Sequence, residues 1–275
     1  MNKLSKEDQT QVVNALCQGM SLRAITRLLD VHRTTTLRIL ERVGAYCEEL
    51  QAKHMRKLDL TDLQIDEIWT FVRKKQSHLS KEEKTDLSIG DQYLFFALDR
   101  NTKLVPAWFI GKRDTPTAIR FMSSLRQCMN GCQTQISTDC FPAYETAIPL
   151  LFGTQASYAA VTKEYETEHI GRGRYAPPRV SGVFKYALEG NPDLSKACTS
   201  HIERQNLTLR TFQRRLTRLA LGFSKKIENL RAAVALHFCY YDFCWIPRTQ
   251  KVTPAMAAAI TDRVWGIEEL VPVSW

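Results

Sequence analysis

The 275-residue chain is 44% hydrophobic and carries 38 Lys and Arg against 29 Asp and Glu, a net charge of +9. That is enough apolar material for one large packed domain plus a small one, and no run of about 18 apolar residues is present to span a bilayer as a helix. The opening residues MNKLSKEDQT lack the apolar segment of a secretory signal, so the expected location is cytoplasmic.

Eight cysteines (Cys17, Cys47, Cys128, Cys132, Cys140, Cys198, Cys239 and Cys244) are scattered along the chain and are expected to be reduced thiols. The close pairs Cys128/Cys132 and Cys239/Cys244 lack the spacing and the histidine partners of a zinc site. The positive charge is concentrated in two blocks. Residues 1–57 hold ten Lys/Arg against six Asp/Glu, and residues 201–231 hold eight against two, so the body between and beyond them is close to neutral. Two basic blocks on a near-neutral body predict two contacts with nucleic acid. A basic membrane-binding surface would instead need large exposed apolar residues opposite the charge, and here the apolar faces are better used as core.

In chain order, residues 4–50 read as three short helices. Ser5 can cap the first with Asp8 three residues on, and Val12, Val13 and Leu16 point inward until Gly19 stops it. Ser21 caps the second, which carries Leu22, Ile25 and Leu29 on one side and ends at Asp30. After the turn Asp30-Val31-His32, a third helix shows Leu37, Leu40 and Val43 inward and leaves Arg33, Thr35, Thr36, Arg38 and Arg42 to solvent. A short helix, a tight turn and a helix presenting Arg and Thr make a helix-turn-helix pattern, with the last helix suited to the major groove of double-stranded DNA. A plain three-helix packing module is the alternative. Residues 1–57 are thus expected to be a DNA-binding domain with a helical linker at its end.

From Leu60 the period changes from helical to alternating. LTDLQIDEIWTFVRKK reads as a strand with Asp66 inside it, and a carboxylate buried there without a partner would cost several kcal/mol. QYLFFALD and KLVPAWFIG follow as two more strands joined by a turn at Asp99-Arg100-Asn101-Thr102. A helix opens at Thr115-Pro116, Gly131 closes it, and TQISTD is a fourth strand ending at Asp139. Three antiparallel strands, a crossover helix and a fourth strand beside the first is the order of a ribonuclease-H-like α/β mixed sheet flanked by helices, and it brings Asp139 next to Asp66. FPAYETAIPLLF suggests a short helix and ASYAAVTKEY a fifth strand. Residues 163–200 are expected to be an irregular insert that touches DNA through Arg172, Arg174 and Arg179.

Helical spacing from His201 to Leu221 puts Ile202, Leu209, Phe212, Leu216, Leu219 and Ala220 on one face. On the other, Glu203 heads a column of Arg210, Arg214 and Arg218. A solvated basic helix would look the same, but so would a track for a phosphate backbone. Asp66, Asp139 and Glu203 together are expected to hold two divalent, oxygen-loving ions, Mg²⁺ or Mn²⁺, because three close carboxylates repel without cations. His201 and Asn206 are candidate positioning groups beside Glu203. A second long helix with Ile227, Leu230, Val234 and Phe238 inward packs behind, which bounds the expected catalytic domain at residues 58–246 and a tail at 247–275.

The stretches DEIWTFVRKKQ, GDQYLFFALDRNTKLVPAWFIGKRD, STDCFPAY, HIERQNLTLRTFQRRLTRLALGFSKKIEN and VTPAMAAAITDRVWGIEEL resemble the transposases of the IS-one insertion-sequence family. The resemblance runs from about Leu60 to the C-terminus. It implies a DDE transposase: metal-dependent cleavage at transposon ends, strand transfer by the freed 3′-hydroxyl, and a triad of Asp66, Asp139 and Glu203. It also implies a homodimer or higher oligomer joining two DNA ends, nucleoid-associated when bound. The chain departs from the family in the 64-residue interval between Asp139 and Glu203, in the absence of a zinc-binding N-terminal segment, and at Asp242, Trp245 and Pro247, where the family usually reads Asn, Arg and His. Two other readings share part of this pattern: a catalytically silent DNA-binding regulator derived from a transposase, and a ribonuclease-H-like nuclease, which would not need a helix-turn-helix.

Overall fold

The alternating stretch around Asp66 is the centre of a single sheet. In the computed structural model, which describes residues 4–166 and 178–273, strand β1 (Asp62–Val72) pairs antiparallel with β2 (Gly90–Asp99), and β2 pairs antiparallel with β3 (Trp108–Gly111). On its other side β1 runs parallel to β4 (Thr134–Thr138), β4 parallel to β5 (Ala156–Glu166), and β6 (Arg179–Glu189) lies antiparallel along β5 at the edge. The order is β3-β2-β1-β4-β5-β6. This is the ribonuclease-H-like mixed sheet, and the expected fold class holds.

The pleat of β1 assigns its side chains to two layers. Ile68 and Val72 enter a core with Leu94, Phe96, Ile202, Leu209, Leu230, Val234 and Phe238, beneath helices α6 (Ser200–Phe212) and α7 (Ile227–Phe243). Leu63 and Ile65 face the opposite layer, with Phe95, Phe121, Leu125, Tyr144 and Ile148 from α4 (Thr115–Cys128) and α5 (Pro142–Phe152). Asp114 caps α4 through the Thr117 N–H at 2.9 Å, with Pro116 in the first turn.

Of three N-terminal helices, α1 (Lys6–Cys17), α2 (Leu22–Leu29) and α3 (Arg33–His54), α3 packs along α7, α1 touches both, and α2 packs on α1 and α3. The Ser5–Asp8 capping box is present, and α2 ends on Asp30 in the left-handed region at φ 53°. Residues expected to be a linker are the second half of α3, which lies along α7 so closely that a Cβ on Gly44 would stand 2.4 Å from Ala232 Cα. One continuous core therefore includes Val12, Ile39, Val43, Leu236 and Phe243. No helix among the described residues is long and apolar enough to cross a membrane.

Three expectations change. Within the stretch read as an irregular insert, β5 runs on to Glu166 and Arg179–Glu189 forms β6. This edge strand is exposed on both faces, so no inward side imposes an alternation on its sequence. Arg172 and Arg174 lie outside the described residues. The helix read as His201–Leu221 stops at Phe212, where the Thr217 hydroxyl donates to the Arg210 and Gln213 carbonyls at 2.9 and 3.4 Å and satisfies the helix end. Buried Leu216 and the Thr70 hydroxyl, which donates to the Arg215 carbonyl at 2.9 Å, then hold the chain against the sheet. Arg214 and Arg218 thus stand in a loop, and Leu219 is fully exposed where the helical stripe had turned it inward. Lastly, Thr36 is buried, and Arg42 turns in toward Gln9 Oε1 at 3.3 Å.

Candidate active site

The β1–β4 register joins Asp62 to Gln135 and Gln64 to Ser137, an offset of 73 residues. Asp66 and Asp139 are separated by the same offset, so Asp139 leaves the end of β4 beside Asp66. Ligand oxygens of Asp66, Glu67 and Asp139 lie within 4.8 Å of one another. The cleft above them, about 370 Å³, is lined by Asp66, Asp139, Arg113, Lys163, Thr199 and Glu203 among others. All three carboxylates of the expected triad therefore open onto one cavity. A larger cavity of about 900 Å³ between α3, α4 and α7 is lined by Glu48, Glu228 and Arg231 among others and by none of the clustered acids Asp66, Glu67 and Asp139.

Each acid has its own support. Asp66 Oδ1 accepts from the Glu67 N–H at 2.8 Å, and Oδ2 accepts from Asn206 Nδ2 at 2.6 Å. Burial pushes the Asp66 carboxyl up to about 6, the nearby charges of Asp139 and Glu203 add to that, and the two hydrogen bonds oppose it. Asp139 Oδ1 accepts from the Phe141 N–H at 3.0 Å. Glu203, on the first turn of α6, is held by Lys163 of β5 and by the Thr199 hydroxyl at 2.7 Å, so its carboxylate is outside the Asp66–Glu67–Asp139 group.

Three residues at the site were not anticipated. Glu67 points to the far face of the sheet, where Tyr144 donates to Oε2 at 2.9 Å and Arg113 pairs with Oε1 at 2.6 Å. Burial, then the Asp139 charge, lifts the Glu67 carboxyl to about 7, against the pull of Arg113. Arg113 lies 4.0 Å from the Phe141 ring centre and 3.9 Å from Asp139 Oδ2, so a fixed cation borders the acidic cluster. Lys163 is the third. The adjacent acid after Asp66 was a signal for Glu67, but alternation assigns it to the opposite face; Arg113 and Lys163 carry no local signal.

Asn206 touches Asp66, whereas His201 does not reach the cleft. His201 lines a separate cavity with Asp62, Arg100, Lys103 and Lys196, its Nδ1 3.4 Å from Lys103 Nζ. Its backbone N–H and that of Ile202 both donate to Gln64 Oε1 at 3.0 Å, so a buried β1 side chain satisfies the start of α6. Arg210 is half-buried close enough to Asp66 and Arg218 to feel both, and burial lowers its pKa. Arg33 and Arg38 are exposed on α3, and Thr35 is half-buried.

Residues 86–171 match a DDE domain. The family model is named for the IS240 transposases, and the matched stretch runs from just before β2 past the end of β5, taking in Asp139. This match supports a DDE transposase. No curated protein sequence matches the chain. Among solved structures, the chain is similar to a Mos1 transposase paired-end complex with a left transposon end, at 15% identity and TM-score 0.22, over 55% of this chain and 58% of that one. The chain thus spans a little over half of that transposase's length. It is also similar to a piggyBac transposase synaptic complex with hairpin DNA, at 9% identity and TM-score 0.42, over 98% of this chain and 71% of that one. A Mos1 mariner paired-end complex with Mn matches at 13% identity and TM-score 0.23, over 55% and 58%.

The donor set fits divalent metal use. All candidate ligands are carboxylate oxygens, which suit hard cations such as Mg²⁺ and Mn²⁺, and the oxygens of Asp66, Glu67 and Asp139 gather like charges within 4.8 Å that a cation would relieve.

Proposed function

We propose that the chain is a DNA transposase that binds transposon terminal inverted repeats and catalyses metal-dependent cleavage and strand transfer. The observation that carries this reading is the shared cleft: Asp66 and Asp139 on adjoining parallel strands, with Glu203 across from them on α6. The DDE-domain match over residues 86–171 supports it, and the quoted motifs favour a relative of the IS-one insertion-sequence family.

In this reading Asp66, Asp139 and Glu203 would hold two Mg²⁺ or Mn²⁺ ions, which supply charge for the phosphoryl oxygens and lower the pKa of an attacking hydroxyl. Asn206 fixes the direction of the Asp66 carboxylate, and Arg113, braced by Glu67, adds positive charge beside Asp139. Each chemical step exchanges one P–O bond for another. Water attacks the phosphodiester and releases a 3′-hydroxyl, which then attacks a target phosphodiester and releases a target 3′-hydroxyl. No covalent protein intermediate is needed. Recognition of the duplex falls to α2 and α3 as a helix-turn-helix, with Arg33, Thr35 and Arg38 facing the major groove and Arg42 acting from behind through its contact with Gln9. Arg210, Arg214 and Arg218 bind the strand at the cleft. Two or more copies of the chain bring the ends together in the cytoplasm, on the nucleoid.

The test is incubation of the protein with labelled duplex carrying the repeats that flank its own gene, in Mg²⁺ or Mn²⁺. Wild type is expected to yield end cleavage and strand-transfer products, and Glu203→Gln to lose both while keeping repeat binding. If both proteins bind the repeats and neither cuts, the chain is a DNA-binding regulator instead.

A further inference from the structure

The loop that follows α6 presents apolar side chains to solvent in a strongly basic setting. Leu219 and Leu221 are fully exposed, and Leu219 takes the left-handed backbone at φ 55°, a conformation unfavourable for a residue with a branched side chain. Single exposed leucines are ordinary. These two stand between exposed Arg214 and Arg218 on one side and exposed Lys225 and Lys226 on the other, and the sequence has no acidic residue between Glu203 and Glu228.

The loop is closed and anchored at both ends, so the leucines are held outward. Leu216 is buried, Arg215 donates to Ser224 Oγ at 2.9 Å, and the Arg73 N–H donates to the Ser224 carbonyl at 2.9 Å. Phe223 packs on Phe71 with ring centres 4.5 Å apart. Gly222 passes so close to Arg214 that a Cβ there would lie 2.6 Å from the Arg214 carbonyl oxygen. The Thr70 hydroxyl, four residues along β1 from Asp66 and on the same face of the pleat, donates to the Arg215 carbonyl at 2.9 Å. The loop is therefore anchored on the face of the sheet that carries Asp66.

We propose that Leu219 and Leu221 form an apolar wedge that enters duplex DNA between base pairs at the cleft, with Arg214, Arg218, Lys225 and Lys226 on the flanking phosphates. The charge complementarity selects the occupant: four cations around an apolar tip suit a polyanion with a stacked apolar interior, and such wedges unstack a base step to admit a bent duplex. This inference rests on the transposase reading, since it takes duplex DNA as the substrate.

The test uses the full chain and duplexes carrying the flanking repeats, with 2-aminopurine at successive positions near the end. Wild type is expected to raise 2-aminopurine fluorescence at one or two adjacent positions on binding. Leu219→Ser/Leu221→Ser is expected to abolish that rise and to lose roughly tenfold in duplex affinity, the net effect once the cost of unstacking a base step is set against the burial of two leucines. Its melting temperature should match wild type, because neither side chain touches the core. Arg218→Ala should weaken binding and reduce its salt dependence while keeping the rise. Wild-type binding with no rise at any position overturns the wedge and leaves the transposase reading intact. A rise that persists in the double variant, with a change from dimer to monomer by light scattering, assigns the tip to a contact between copies and also overturns it. Failure of wild type to bind any duplex overturns the reading beneath it.

Discussion

Asn206 Nδ2 stands 2.6 Å from Asp66 Oδ2, and this contact ties α6 to the central strand at the level of the acidic cleft. The two residues are 140 positions apart in sequence, yet the side-chain amide sets the direction in which the carboxylate presents its other oxygen. Glu203 lies one turn earlier on the same helix, so the contact that orients Asp66 also positions Glu203 across the cleft.

Removing this contact should weaken metal binding before it affects the fold. Asn206→Ala is expected to lower Mn²⁺ affinity by roughly 10–100-fold, the usual loss when a ligand's hydrogen-bonding partner is deleted. Isothermal titration with Mn²⁺ reads this directly, without DNA or turnover. Unchanged affinity would mean that Asp66 is oriented from within β1 alone.

A buried histidine should make the protein acid-sensitive. His237 on α7 is fully buried, neither ring nitrogen has a hydrogen-bond partner among the described residues, and burial depresses its pKa from 6.5 to about 3. The unfolded chain takes up a proton as pH falls through about 6.5 while the folded chain does not, so stability drops with falling pH across the window down to about 3. From pH 7 to pH 5 this group alone removes about 2 kcal/mol. The difference in urea midpoint between His237→Leu and wild type should therefore grow in the variant's favour from pH 7 to pH 5. A pH-independent difference would show that the histidine is hydrated or paired in solution.

Asp242, five residues further along α7, should act in the opposite direction. It is fully buried, Oδ1 accepts from the Val105 N–H at 3.0 Å, and burial raises its pKa well above the carboxylate range. The fold keeps a proton that the unfolded chain releases above about 3.9, so stability is lost as pH rises from there. Asp242→Asn retains the acceptor for Val105 without the proton. Its melting temperature should exceed that of wild type at pH 8 by more than at pH 5; an equal offset at both would show that Asp242 ionises in the fold.

Close helix packing should make Gly44 intolerant of any side chain. A Cβ there would stand 2.4 Å from Ala232 Cα and 2.8 Å from the Ala232 carbonyl oxygen, both on the backbone of α7. Gly44→Ala is expected to cost roughly 1–3 kcal/mol through overpacking, even though alanine favours helix. Urea unfolding measures it. A stabilised variant would mean that α3 and α7 separate easily in solution.

The sequence alone determined what depends on local period and on strand order. Capping residues and apolar spacing delimit α1, α2 and α4, alternation delimits β1 and β2, and the 73-residue offset between Asp66 and Asp139 matches the parallel register of β1 and β4. Glu203 was legible as a lone acid at the head of a basic stretch. Tertiary structure decided the rest, because the deciding contacts join residues far apart in the chain. Thr70 captures the Arg215 carbonyl, and with Leu216 buried the helix stops at Phe212, which divides the column of arginines between a helix and a loop. Gln64 receives the first N–H groups of α6 and so turns His201 toward Lys103, away from the acids. β6 carries no period because neither of its faces is buried, and Arg113 joins the site through a glutamate 46 residues before it and the Asp139 carboxylate 26 residues after it. Periodicity records which side of an element meets the core. Where an element ends, and which charge stands beside which, is fixed by partners that come together only once the sheet has formed.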